Sequence, residues 1–390
     1  MRIQSVLTLL LIITSLGLKA QTTPIKIYPF IKVSKDSVES AKLTSALNDF
    51  LAAAQLPNEE NKFVLESEKI ETYILLDEFK GLETNRGFKD DNFFKPHLTN
   101  VVPLDETQFL IQLSYIGINE GETILRASFE LIAHKTDDSY AFSSPLVRNT
   151  RNWKVLKKGD GVFHYEYEIN TDNVERYEEL VYEFDKKLNI TNKTTECYCT
   201  NNLTELLKLI GVNYKLDYNG RPQSVFSASG EGKKIIVLGN NNASFDNLDP
   251  HDLWHDRLSL VISRRAVNKP IDEACAYLYG GSWGITWEEI LERFNKKVAS
   301  NKESDWANYK ENPSNFGESQ EEHLMVDYVV NALIVEKIEK EKGFEGVWEF
   351  LNCGPYEKGN ENYYQALEKL TGITKDNYNK QVWKLIKAAT

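Results

Sequence analysis

Apolar residues along the chain recur at two spacings, about 3.6 and 2, and the places where one gives way to the other set the expected architecture. Between Asp36 and Gln55, the positions Leu43, Leu47, Phe50, Leu51 and Ala54 follow the helical spacing. Asp36-Ser37-Val38-Glu39 reads as a capping box at the start, and Leu56-Pro57-Asn58 as the stop. Residues 61–100 show no clear period. The spacing then falls to two: Phe109, Ile111, Leu113 and Tyr115, the turn Asn119-Glu120-Gly121, then Leu125, Ala127, Phe129 and Leu131. A further strand carries Phe163, Tyr165, Tyr167 and Ile169. One long helix followed by long antiparallel strands predicts a small α+β domain with a curved sheet over residues 21–170.

Helical spacing returns at Val174, Tyr177, Val181, Phe184 and Leu188, where a second domain, residues 171–390, is expected to begin. A short strand at 194–200 and a helix at 202–210 ended by Gly211 lead to a hairpin. Its strands are 224–227 and 233–238, joined by Gly230-Glu231-Gly232. The rest reads as helical, with helices after Asp249 and Pro270 and at 287–297, 321–341, 344–352, 361–370 and 375–388; residues 301–320 read as irregular and polar. The fold class is therefore α+β: a helix-plus-antiparallel-sheet domain, then a mainly α domain with a small sheet. By architecture alone the first domain is reminiscent of cone-shaped NTF2-like or cystatin-like modules.

Length and composition agree with two or three domains that have packed cores, since 41% of the 390 residues are hydrophobic and 11% aromatic. A formal net charge of −12 argues against a nucleic-acid partner. Arg2, the apolar run Val6–Leu18 and Leu18-Lys19-Ala20 before Gln21 read as a signal peptide over 1–20. An exported protein, periplasmic or secreted, is expected, with no membrane span in the mature chain. Export permits disulfides. Cys197 and Cys199 are poorly placed to bond each other, whereas Cys275 and Cys353 either pair across helices or remain buried thiols. The cysteine spacings do not suit a zinc site.

The chemistry concentrates near residue 250. Of the six histidines, His97, His134, His164, His251, His255 and His323, only His251 and His255 stand four apart. Asp249 is a good N-cap and Pro250 suits the first helical position, while Trp254, Leu258, Val261 and Ile262 keep helical spacing. Both imidazoles then share one helix face. The helix after Pro270 carries Glu273, which can fold back as a third ligand, with Asp272 the alternative if the register is off by one. Two imidazoles, one carboxylate and a position left to water form the ligand set of a hydrolytic zinc site. Asp252 also suits the helix N-terminus as a dipole partner, and Asp256 reads as solvated or paired with Arg257 or Arg264. His134 and His164, alone on strands, read as surface or cross-strand residues. Gly280-Gly281-Ser282-Trp283-Gly284 reads as a helix stop and turn.

His251-Asp252-x-x-His255, with Glu273 eighteen residues after His255, resembles the gluzincin metallopeptidases, the HExxH…E group, over about residues 172–390. The resemblance implies Zn2+ on His251, His255 and Glu273, and a peptide or protein substrate. It places Asp252 as general base, an edge strand at Ile235–Leu238 that takes an extended peptide by β-addition, and Tyr328 or His323 as oxyanion stabiliser. Tyr277, one turn beyond Glu273, either hydrogen-bonds a ligand or packs in the core. The family has Glu where this chain has Asp252, one methylene shorter, and a general base must first reach its proton. A catalytically weak or inactive binding or scaffolding protein is therefore the alternative, and a zinc hydrolase of non-peptide amides a third.

Overall fold

Asp36 opens the first helix, Ser37–Ala53, by accepting a hydrogen bond from the Val38 amide at 2.8 Å. That satisfies one of the donors every helix start leaves unpaired. Leu43, Leu47, Phe50, Leu51 and Ala54 are all buried, as their spacing predicts. Glu39, placed to complete the capping box, instead accepts from the Tyr140 hydroxyl at 2.9 Å.

The structure is a computed structural model that describes residues 23–33, 36–87, 89–191, 193–263, 265–319 and 322–389. The expected leader Met1–Ala20 lies outside them. The fold is α+β. It divides into two compact units, each assembled from two pieces of chain: residues up to Trp153 with Thr200–Asn240, and Lys154–Cys199 with Asn241–Thr390. The chain passes between units at three points, rather than once near residue 170.

The first unit is organised on a sheet whose strands run Lys26–Ile27, Lys95–Pro103, Gln108–Asn119, Glu122–Lys135 and Tyr140–Ser143, with Val212–Lys215 also paired to Glu122–Lys135. Glu120 and Gly121 turn the central hairpin with φ of 51° and 86°. Positive φ at both central residues gives the turn a twist that matches the strands. Ile111, Leu113 and Tyr115 lie opposite Leu131, Phe129 and Ala127, and all six are buried. A bulge between Tyr115 and Ile116 breaks the alternation, so Leu125, expected inward, is 39% exposed. Helix Lys69–Phe79 falls where the sequence shows no period. It is buried on almost every face, with Glu71, Thr72 and Glu78 among its buried residues, so no apolar stripe marks its inner side. Lys233–Gly239 pairs antiparallel with Ser224–Gly230 as expected. Ile235, Ile236, Val237 and Leu238 are all buried, which corrects the reading of this stretch as an exposed edge open to an extended peptide.

In the second unit, Lys154–Lys158 pairs antiparallel with Gly161–Tyr165, which pairs parallel with Thr194–Cys199. Helix Thr171–Leu188 supplies the crossover that a parallel pair requires. Val174, Tyr177, Val181, Phe184 and Leu188 are its buried stripe. The strand ends at Tyr165, short of Ile169, and Tyr167 is exposed. Seven further α-helices follow among the described residues: Pro250–Leu258, Lys269–Gly280, Trp287–Phe294, Trp306–Glu311, Val326–Leu351, Glu361–Thr371 and Tyr378–Ala389. Trp306–Glu311 lies in the stretch read as irregular. The long helix breaks at Gly343, whose φ of 70° and ψ of −176° suit glycine alone, so the two helices expected there meet end to end.

No helix among the described residues is long and apolar enough to cross a membrane. The four cysteines are unbonded, so Cys275 and Cys353 do not pair; Cys197, Cys199 and Cys275 are buried. His134 Nε2 lies 2.9 Å from Ser143 Oγ, and the His164 ring stacks on Tyr198 at 4.2 Å. Both are cross-strand residues.

Candidate metal centre

Asp249 caps helix Pro250–Leu258 by accepting from the His251 amide at 2.9 Å, with Pro250 in the first turn where its missing N–H costs nothing. This helix ends at Leu258, earlier than its apolar spacing suggests, and Val261 is exposed. Helix Lys269–Gly280 packs against it. Two glycines set how closely. A Cβ on Gly280 would meet the His251 nitrogen and the Pro250 carbonyl carbon at 2.6 Å. Gly281, at φ 73° and ψ −154°, has a backbone conformation available essentially to glycine alone. That conformation delivers its carbonyl oxygen to His251 Nδ1 at 2.8 Å.

These contacts fix both imidazoles. The Gly281 carbonyl can only accept, so His251 carries its proton on Nδ1. Asp272 Oδ1 lies 2.9 Å from His255 Nδ1 and also accepts from Trp254 Nε1 at 3.2 Å, so His255 is held in the same way. The two Nε2 atoms then face each other at 3.2 Å, with Glu273 Oε2 at 3.5 Å from the first and 3.7 Å from the second. Two Nε2 atoms so placed call for a shared cation between them, a proton or a metal ion that replaces it. A tetrahedral ion with ligand bonds of about 2.0–2.1 Å sets its ligand atoms roughly 3.3 Å apart, close to the separations found here. His251, His255 and Glu273 therefore can hold a metal ion, and among the described residues they form the one such group.

The charges tell the same story. Burial alone would lower the His255 pKa, but the Asp272 and Glu273 carboxylates outweigh it and hold the ring's pKa at about 9. Burial would raise Glu273, but hydrogen bonds from His251 and His255 pull it to about 2. The cluster favours positive charge at its centre. Asp272 is the buried carboxylate that orients His255 rather than a ligand. Loss of such a partner typically weakens metal binding by about 10–100-fold. Asp272→Ala should show a loss of that size in competition with a chelator, with the His251, His255 and Glu273 ligands still present.

His251 and Glu273 open onto a cleft of about 340 Å³ whose other walls include Tyr277, Trp283, His323 and Tyr328. Tyr277 does not bond a ligand. Its hydroxyl donates to the His323 carbonyl at 2.9 Å and accepts from the Met325 amide at 3.2 Å, while its ring lies 5.7 Å from that of His251. Tyr277 is thus a wall and a brace. Burial raises the Tyr328 pKa, and the Glu273 charge adds to it. Asp252 sits between the ligands on its helix but is exposed and is not among the cleft walls. Protein packed about its carboxylate, and then the Asp249 charge, raise its pKa.

Sequence reasoning missed what anchors the histidine helix. Arg257 is 1% exposed and grips Asp185 with Nε at 2.6 Å and Nη2 at 2.5 Å, while Nη1 donates to Thr195 Oγ1 at 3.0 Å. Its bidentate partner lies 72 residues away rather than next door at Asp256, and no local spacing announces it. Arg264 lies outside the described residues. The Gly-Gly-Ser-Trp-Gly turn was legible as a helix stop but not as a cleft wall. No protein-family model matches the chain, and no curated protein sequence matches it.

Proposed function

We propose that the chain is an exported zinc-dependent peptidase. One observation carries the reading: two imidazole nitrogens and a carboxylate oxygen converge at ligand spacing on the floor of an open cleft. Nitrogen and oxygen donors at this spacing, with both outer imidazole nitrogens tied down, favour zinc among the common ions. Zinc, when bound, supplies a water of lowered pKa and polarises a carbonyl.

The chain's own groups would supply the rest. Glu273 and the two histidines would hold the ion. Tyr328, whose raised pKa keeps its hydroxyl protonated, donates to the oxygen on which charge develops, with His323 as a second donor on the same wall. Asp252, between the two histidines on their helix, would serve as the base toward the attacking water. Among the described residues no Lys or Arg lines the cleft. Export rests on the leader-like pattern of Met1–Ala20.

The exposure of Asp252 favours a second reading, a peptide-binding protein with weak or no catalysis. Cleavage of a broad peptide library by the zinc-loaded full chain separates the two. If Asp252 is the base, Asp252→Asn lowers kcat by about 10²–10⁴-fold. An unchanged kcat removes Asp252 from the mechanism, and stoichiometric zinc without cleavage leaves only binding.

A further inference from the structure

At the cleft mouth a large apolar side chain occupies a position poorly suited to it. Ser282 and Ile285 close a tight turn with reciprocal backbone hydrogen bonds of 3.1 Å. The two residues between them, Trp283 and Gly284, have φ of 55° and 74°. Positive φ at both central positions is the type I′ arrangement, in which Asn, Asp and Gly are favoured and a bulky residue is disfavoured. Trp283 bears that strain and gains little burial in return, since it is 55% exposed. Its indole faces the His323 ring at 6.3 Å and lines the same cleft as His251 and Glu273. Behind it, Tyr277 and Tyr328 meet edge to face at 5.6 Å. Among the described residues, Glu273 is the one Asp or Glu of the wall, and no Lys or Arg joins it. An exposed indole kept in a strained conformation beside a reactive centre points to a binding role.

We propose that Trp283 and His323 form the wall of a side-chain subsite that selects a substrate with a bulky aromatic or apolar group next to the bond that reacts. The proposal rests on the metal reading of His251, His255 and Glu273. Trp283 would act through contact area and exclusion of water, not through proton transfer. The Glu273 carboxylate on the same wall disfavours acidic side chains there.

The test uses the zinc-loaded full chain and its equilibrium binding of four hydroxamates: acetohydroxamate, which has no side chain, and the hydroxamates of phenylalanine, aspartate and arginine. Phenylalanine hydroxamate should bind at least about tenfold tighter than acetohydroxamate, the smallest gain expected from burying an aromatic ring. Trp283→Asn places a residue suited to positive φ in the turn. It should leave zinc content and acetohydroxamate affinity unchanged, keep or raise the Tm, and bring the phenylalanine preference close to parity. An unchanged preference in Trp283→Asn, or arginine or aspartate hydroxamate outranking phenylalanine hydroxamate, overturns the subsite. If acetohydroxamate itself fails to bind, the metal reading falls and the subsite with it.

Discussion

A His255→Ala variant is expected to lose stoichiometric zinc. His255 places Nε2 3.2 Å from His251 Nε2 and 3.7 Å from Glu273 Oε2, so its removal takes away one of three donors rather than a support. The loss of affinity should exceed the roughly 10–100-fold that accompanies loss of an outer partner such as Asp272. His323→Ala is the control. His323 lines the same cleft but is not in the ligand group, so its removal should leave zinc content unchanged. Metal analysis of both proteins, with chelator competition for affinity, separates these outcomes. Equal zinc in His255→Ala and the parent would remove His255 from the ligand set.

The second large effect concerns stability. Arg257→Met should destabilise the protein by about 3–5 kcal/mol, the usual cost of removing one partner from a buried ion pair. Arg257 is 1% exposed, and its loss strands the Asp185 carboxylate and leaves the Thr195 hydroxyl without its donor. Most of that cost comes from the uncompensated charge. Arg257→Met combined with Asp185→Leu should therefore recover much of the stability, because replacing both partners with apolar groups is often nearly neutral. Denaturant unfolding of the two variants checks the sign and the recovery. A double variant as unstable as the single one would show that packing, not charge, dominates at this contact. Arg257 lies on the histidine helix, two residues past His255, so the single variant should also bind zinc less tightly.

What the sequence disclosed depended on how local each signal was. His251 and His255 were legible because the pair is four residues apart on a helix whose cap, Asp249, and first-turn proline, Pro250, stand beside it. Glu273 was legible as a carboxylate in the first turns of the next helix. The sequence could not separate its role from that of Asp272, since adjacent helical residues differ by about 100° in direction and only packing selects which one faces the ligands. The structure gives Asp272 to His255 Nδ1 and Glu273 to the centre. Tyr328 and His323 were named from resemblance, and both line the cleft. Trp283 was hidden because its place depends on a turn conformation, φ 55°, that its residue type disfavours. Helix Lys69–Phe79 was hidden because it buries Glu71, Thr72 and Glu78 along with its apolar residues and so shows no stripe, and the Arg257–Asp185 pair by distance along the chain. Strand 235–238 was read correctly as a strand but wrongly as exposed, because a continuous apolar run indicates burial on both faces rather than an accessible edge.

X-ray absorption at the zinc edge of the loaded full-length protein tests the central claim most directly. The account predicts a four-coordinate shell of nitrogen and oxygen at about 2.0–2.1 Å with the outer-shell scattering of two imidazoles. A sulfur shell near 2.3 Å, or zinc without imidazole scattering, would contradict it.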